Sequence, residues 1–466
     1  MVGRTILINP NFQDDISDLS QISIGPPLGL AYIAAILKKK GFCVNIIDAN
    51  AEKLDRKEIL SILKKENPKY VGITATTPTY ASCLKLAKQI KKTLKTVKIV
   101  FGGIHPSTFP NEVLKEKYID YVVLNEGEYT FLELIEGKKL LKNIQGLGFK
   151  DKGIIKINPK REFIKNLDDL PFPARELLPN DKYASLEFSS FSTIIAMRGC
   201  PANCIYCSVP KFCGRTLRIR SVKNVIEEIE ELVYKFKIKS FSFLDDTFTY
   251  DKKWVESFCL NMIDKRLNDK IKWLCLTRVD TVDLALLKLM KKAGCYKIEL
   301  GIESGSPKIL KKIGKGITRS QIKNAFRLAK KARLATMAFV MVGFPFEKKE
   351  DILMTKKLLH EINPNFIQVS YPTPYPNTPF YEYCKKKNVI ENVEKLDFSR
   401  YKFLKELNVK NKQGLSKERI ISLKKDIEKS FYIRPIYMIR NFFYILKISK
   451  DIKLVMRRIL SFMGKI

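Results

Sequence analysis

Arg198-Gly-Cys-Pro-Ala-Asn-Cys-Ile-Tyr-Cys207 is the stretch on which the reading of this chain turns. It sets Cys200, Cys204 and Cys207 in a C-x3-C-x2-C run. Thiolates hold iron in iron–sulfur clusters. Three on one short loop are suited to three irons of a cubane, leaving the fourth iron to a ligand that is not protein. An open iron on a reducible cluster is a reaction site. The alternative for close cysteines is structural zinc, which takes four ligands, usually in two paired knuckles. No second pair lies nearby. Cys213 is the one other close cysteine, and neither histidine is local.

Outward from that loop, short apolar runs alternate with helical stretches. Strands are predicted at Thr193–Met197, Ser240–Leu244, Trp273–Thr277, Tyr296–Leu300, Met337–Val342 and Phe366–Ser370. Helices fall between them at Val222–Phe236, Leu284–Lys292, Arg319–Lys331 and Lys349–Ile362. This predicts a partial (β/α)6 barrel of TIM type over 189–390, with functional residues at the carboxyl ends of its strands. Before it, strands at Thr5–Asn9, Cys43–Ala49, Tyr70–Thr76, Lys98–Gly102 and Tyr121–Asn125 alternate with helices such as Leu28–Lys40 and Tyr80–Leu94. That pattern predicts a doubly wound, Rossmann-like (flavodoxin-like) domain over 1–145, its ligand beyond the strand ends. Residues 146–188 read as an irregular linker, and 391–466 as a helical extension. The chain is therefore α/β throughout.

Several strand ends carry polar residues. Phe243-Leu-Asp-Asp-Thr-Phe-Thr249 holds Asp245 and Asp246, suited to a cation or an ammonium group, or simply to capping a helix. In Thr277-Arg-Val-Asp280, Arg278 is suited to gripping a carboxylate with two parallel bonds, or to an ordinary ion pair. Ile298-Glu-Leu-Gly-Ile-Glu-Ser-Gly305 offers Glu303, an acceptor for ribose hydroxyls or an ammonium. Met341-Val-Gly-Phe-Pro345 is a Gly/Pro strand exit.

Taken in order, with Tyr375-Pro-Asn-Thr-Pro-Phe-Tyr381 after them, these motifs resemble the radical SAM (S-adenosylmethionine) superfamily. The likeness is to the subgroup with an N-terminal cobalamin-binding domain: the class B methylases and the anaerobic oxidative cyclases. It implies Cys200, Cys204 and Cys207 as ligands of a [4Fe-4S] cluster whose open iron takes SAM, which is cleaved reductively to a 5′-deoxyadenosyl radical. It implies Tyr206 near the adenine, Glu303 with Ser304 as SAM contacts, and Asp245, Asp246 and Arg278 as further ones. Phe346 departs from the pattern, standing where Gly often follows Gly-Phe-Pro. Asn377 also stands where Gly is common. In the first domain, Gly25-Pro-Pro-Leu-Gly-Leu-Ala31, Gly102-Gly-Ile-His-Pro-Ser107 and Asn125-Glu-Gly-Glu128 resemble the subgroup's recurring segments. Gly102, Gly103, His105 and Glu126 are then the cobalamin contacts. The Asp-x-His-x-x-Gly signature of a lower axial histidine is absent, so no protein histidine is expected on cobalt. His105 reads equally as a turn residue before Pro106. No catalytic residue is assigned.

The expected function is methyl transfer to an unactivated carbon of a small-molecule or lipid-like substrate, with a flavodoxin- or ferredoxin-like reductant. Oxidative cyclisation or carbon–carbon bond formation is the alternative. A tRNA methylthiotransferase would carry three more cluster cysteines in its first domain, where only Cys43 and Cys83 occur. A cobalamin or cluster sensor would need no SAM contacts. The net charge of +36 over 466 residues suits anionic partners or a surface of solvated lysines. No RNA-binding motif is visible, and no specific nucleic acid is expected. Ten cysteines without a visible signal peptide point to a reducing, cytoplasmic setting. Phe431–Ile466 is basic and apolar, with Asp451 its only acid. It reads as an amphipathic element on a membrane face or as a helix packed on the barrel.

Overall fold

A computed structural model describes residues 3–11, 24–185, 187–390, 406–434 and 437. The chain forms two compact units. One is built on the residues up to Tyr183, with Lys211–Gly214 joined to it, and the other on the described residues from Ala184 onward.

The first unit is a seven-stranded sheet in the order β2-β1-β3-β4-β5-β6-β7. Its strands are β1 (Thr5–Asn9), β2 (Val44–Asp48), β3 (Tyr70–Thr74), β4 (Lys98–Gly102), β5 (Tyr121–Val123), β6 (Leu147–Asp151) and β7 (Ile154–Ile157). β1 to β5 pair in parallel, as alternating βα units dictate. All five residues of β1 are buried, as befits a strand covered on both faces. The order reverses at β1, which opens a crevice beyond the ends of β1 and β3.

The expectation of a linker over 146–188 is corrected here. β6 and β7 form a hairpin that adds antiparallel to β5. Lys152 (φ 49°) and Gly153 (φ 85°) supply the left-handed pair that a two-residue hairpin turn demands. The following segment packs onto the same unit. The Tyr183 hydroxyl donates to Asp48 Oδ2 at 2.8 Å, and Asp48 is fully buried.

The second unit is a six-stranded sheet in the order β15-β14-β13-β12-β11-β8, every pair parallel. The strands are β8 (Phe191–Ile194), β9 (Met197–Arg198), β10 (Arg218–Ile219), β11 (Ser240–Phe243), β12 (Lys272–Thr277), β13 (Cys295–Glu303), β14 (Ala335–Met341) and β15 (Phe366–Ser370). β9 and β10 form a small ribbon of their own. Neighbours follow chain order, and β8 and β15 are the two edges, as an open barrel requires. β8 ends three residues before the predicted strand. Asp245 accepts from the amides of Ala196 and Met197, and Arg220 Nη1 donates to Ile195 O, which together draw the chain off the sheet.

Alternation sorts the two faces of this sheet. On β13, Ile298, Leu300 and Ile302 join the core beneath the helices, with Phe241, Phe243, Phe258 and Trp273. Lys297, Glu299, Gly301 and Glu303 therefore occupy the opposite face. The helix Lys417–Tyr432 follows, capped by Ser416, and its residues Leu423, Ile427 and Phe431 bury into the same core. Tyr437 joins them, so the described beginning of the tail packs on the barrel. The rest of Phe431–Ile466, and with it the membrane-face reading, lies outside the described residues. Among the described residues no helix is long and apolar enough to cross a membrane.

Candidate active site

The cysteine loop leaves β9 through Gly199, whose φ of 101° lies where only glycine sits comfortably. Cys207 N–H donates to Cys204 O at 3.2 Å, folding the last two cysteines into one turn. Ile205 fixes that turn from both sides: its N–H donates to Ile313 O at 3.0 Å, and its carbonyl accepts from Phe380 N–H at 2.9 Å. Gly314 approaches so closely that a Cβ there would stand 2.6 Å from Asn203 O. Cys200 Sγ lies 3.9 Å from Thr247 Oγ1, just beyond β11. Burial pushes the Cys207 thiol up to about 12, with Asp246 and the other two thiols adding to the shift. Such a group becomes a thiolate only beside a cation, and iron supplies one. Among the described residues no three His, Cys, Asp or Glu side chains close on a single ion position. A cubane asks for one thiolate per iron, a wider spacing. The donor set fits it.

The two acids after β11 separate in role. Asp245 is only 1% exposed and spends one oxygen on the amides of Ala196 and Met197. Burial pushes its carboxyl up to about 8. Through that oxygen it shapes the entry to the cysteine loop from inside the protein, while its Oδ2 has no hydrogen-bond partner among the described residues. Asp246 is partly exposed, is pushed up to about 6 by burial, and acts on Cys207. Arg278 grips Asp280 through two bonds of 2.9 and 2.8 Å and donates to Lys315 O at 2.9 Å. It is the local ion pair of its two readings, yet it still feels Cys204 and Cys200.

Glu303 ends β13 at φ 61°, where the β13–β14 register slips. A bulge at a strand end re-aims a side chain and is common beside active sites. Lys315 Nζ donates to Glu303 Oε1 at 2.8 Å, with both residues buried. A Cβ on Gly301 would stand 2.6 Å from that carboxylate and 2.9 Å from the ammonium, so a side chain at 301 would displace the pair. Gly305 packs on the helix Lys349–Ile362, where a Cβ would meet Met354 O at 2.4 Å. Ser304 is fully buried between them. Its hydroxyl lies 3.3 Å from Thr355 Oγ1 and accepts from Ser306 N–H at 3.2 Å. Ser304 thus builds the turn. Tyr206 completes the cluster: burial first, then Glu303 and Cys204, hold its phenol well above the ordinary range. The structure therefore brings Tyr206, Glu303, Arg278 and the cysteines into one electrostatic neighbourhood.

Lys315 was not singled out from sequence, although Gly314-Lys315-Gly316 was there to be read, both glycines at positive φ. The other missed feature lies one layer down on the same face of β13. Lys297, 4% exposed, bonds Glu187 Oε1 at 2.8 Å and stands 3.4 Å from Glu299 Oε1.

In the first unit, Gly103 (φ 97°) has Ala75 O where a Cβ would come within 2.8 Å, and a Cβ on Gly102 would meet only Val123 O, at 3.8 Å. Both are partly exposed at the end of β4, so the backbone there lies bare to a flat ligand. This suits a corrin. Ser107 Oγ ties the neighbouring exits together, donating to Gly103 O at 2.7 Å and accepting from Asn125 N–H at 2.8 Å. Glu126 accepts from Ile164 N–H at 2.8 Å, so one of its oxygens serves the fold. His105 is 1% exposed, stacked 4.0 Å from Tyr80 and 5.1 Å from Phe109. Burial drives its imidazole down to about 3. The ring packs into the interior of the first unit.

A B12 binding domain is matched over residues 22–135 and the radical SAM superfamily over 194–359. An uncharacterised methyltransferase of Pyrococcus horikoshii is 38% identical over 90% of each chain. The anaerobic magnesium-protoporphyrin IX monomethyl ester cyclase of Cereibacter sphaeroides is 30% identical over 86% of this chain and 66% of its own. The radical S-adenosylmethionine methyltransferase TsrM of Kitasatospora setae, solved with cobalamin and a [4Fe-4S] cluster, superposes with a TM-score of 0.74. It covers 94% of this chain and 90% of its own, at 17% identity, and speaks for the fold. The chain belongs to the radical SAM superfamily, in the branch that carries a B12-binding domain. It is a cobalamin-dependent radical SAM enzyme of the group containing methyltransferases and cyclases. Its cofactors are a [4Fe-4S] cluster, SAM and cobalamin, and it needs a reductant and a substrate.

Proposed function

We propose that the reaction is methyl transfer from SAM to an unactivated carbon of a hydrophobic substrate. What carries methylation over ring closure is the likeness to the Pyrococcus methyltransferase, closer and more complete than that to the cyclase. The hydrophobic substrate rests on the composition of the tail and on the helix-free face of the barrel sheet. There Leu276, Met337 and Phe339 stay half-buried and Leu244 is exposed.

In this reading Cys200, Cys204 and Cys207 each hold one iron. Glu303 accepts from the ammonium or ribose of SAM, and Lys315 holds and aims its carboxylate. Asp246, partly exposed, is free to take part. Gly102 and Gly103 let the corrin lie against the backbone. When bound, the cluster supplies the electron that cleaves SAM, SAM the radical and the methyl group, and cobalamin the methyl carrier. The protein's remaining task is to position the target carbon and keep water and quenchers away from the radical.

The test needs no substrate. Anaerobic enzyme loaded with cluster and cobalamin is given SAM and a reductant, and the products of SAM are counted. Methyl transfer predicts S-adenosylhomocysteine beside 5′-deoxyadenosine. 5′-Deoxyadenosine alone, with cobalamin bound, would turn the reading to ring closure.

A further inference from the structure

Two short helices bring a basic patch to the back of the cysteine loop. Pro307–Lys312 exposes Lys308, Lys311 and Lys312; Pro379–Lys386 and the next residue expose Lys385, Lys386 and Lys387. Among the described residues none of the six pairs with a carboxylate. Three of them lie close: burial first, then Lys308 and Lys387, hold the Lys312 ammonium below its ordinary range. Crowded like charges raise the free energy of the isolated protein, and an acidic partner lowers it again.

Both helices are also joined to the same residue of the loop. Ile205, between Cys204 and Tyr206, bonds Ile313 just past the first helix and Phe380 at the start of the second. A second connection runs through rings. Lys312 Nζ sits 4.1 Å over Phe346. Phe346 lies 5.5 Å from Tyr383 and 5.4 Å from Phe344, and Phe344 lies 6.5 Å from Tyr206. Phe346 stands where the motif often has glycine, so this packed link from patch to loop belongs to this chain.

We propose that the lysine patch docks a small acidic electron-carrier protein, which passes one electron to the cluster held by Cys200, Cys204 and Cys207. The inference rests on the cluster reading above. The carrier is oxidised by one electron and the cluster reduced by one; no bond breaks and no proton moves in the step. The lysines steer the carrier, and the bonded and packed matter around Ile205 and Phe346 is the path beneath it.

The experiment measures SAM cleavage by the full-length, cluster-loaded enzyme, driven by reduced flavodoxin and separately by dithionite, which needs no docking. Where flavodoxin does not drive the wild type, reduced ferredoxin is used. Failure of both carriers while dithionite works overturns the proposal. K308E/K312E/K387E is expected to raise the KM for the carrier about tenfold or more and to leave the dithionite rate within about twofold. K308R/K312R/K387R should match the wild type. An unchanged carrier KM on charge reversal would overturn the proposal. Should the reversed variant lose its dithionite rate too, the wild type decides. Its carrier-driven rate must fall with added salt while its dithionite rate holds, and a salt-independent carrier rate overturns the docking. A wild type with no cluster and no dithionite-driven cleavage instead fails the cluster reading, and the docking with it.

Discussion

Replacing Cys204 by alanine is expected to strip the protein of its cluster and to lower reductive SAM cleavage by about a thousandfold or more, roughly 4 kcal/mol of barrier. The magnitude follows from the loop. In the proposed reading each thiolate is the sole protein ligand of one iron, so removing one leaves an iron with no anchor. Cys204 also shares its turn with Cys207 through the 3.2 Å backbone bond, and that turn is held by Ile313 and Phe380. The loop backbone should survive the substitution, leaving a folded protein without iron. Iron content, visible absorbance and 5′-deoxyadenosine formation read the outcome. Cys213→Ala is the control and should keep all three. A Cys204→Ala protein that retains cluster and cleavage would remove the basis of the site.

Lys315→Met is expected to destabilise the second unit by about 3–5 kcal/mol, because it leaves the Glu303 carboxylate buried without its partner. The backbone at Glu303 is set by the bulge, and its side chain is buried. Glu303→Gln strands the lysine instead and is expected to be costly as well. The double variant Glu303→Gln/Lys315→Met should recover much of the loss, with a coupling above about 2 kcal/mol in the cycle. All three are expected to weaken SAM binding, because the acceptor or its aim is gone. Denaturant unfolding measures the stability, and equilibrium SAM binding measures the site. Additive single losses would show that the pair does not act as a unit.

What could be read from the chain was whatever lies close in sequence. The C-x3-C-x2-C loop is visible because its three cysteines fall close together in sequence, between 200 and 207. The strand ends are visible because βα alternation places them, and Gly301-Ile-Glu-Ser-Gly305 because each glycine has a close neighbour to avoid. Partners distant in sequence were not visible. Nothing local says that Lys297 meets Glu187, or that Asp245 turns inward to amides some fifty residues earlier while Asp246 stays outside. Ser304 and His105 stood in the right motifs, but burial, which depends on the whole fold, took both into the interior. The β6–β7 hairpin is legible in Asp151-Lys-Gly-Ile154, a two-residue turn leading into the β-branched run Ile154–Ile157, but β6 before it, with Gly148 and no β-branched residue, carries little strand signal.

The account stands most directly on the pairing of two cofactors in one chain. The decisive measurement is the cobalt-to-iron ratio of protein purified anaerobically from cells supplied with hydroxocobalamin, with its absorbance spectrum. The account predicts one cobalt beside about four irons per chain, the iron lost in Cys204→Ala and the cobalt kept. Iron without cobalt would contradict it, leaving a radical SAM barrel whose first unit holds something other than a corrin.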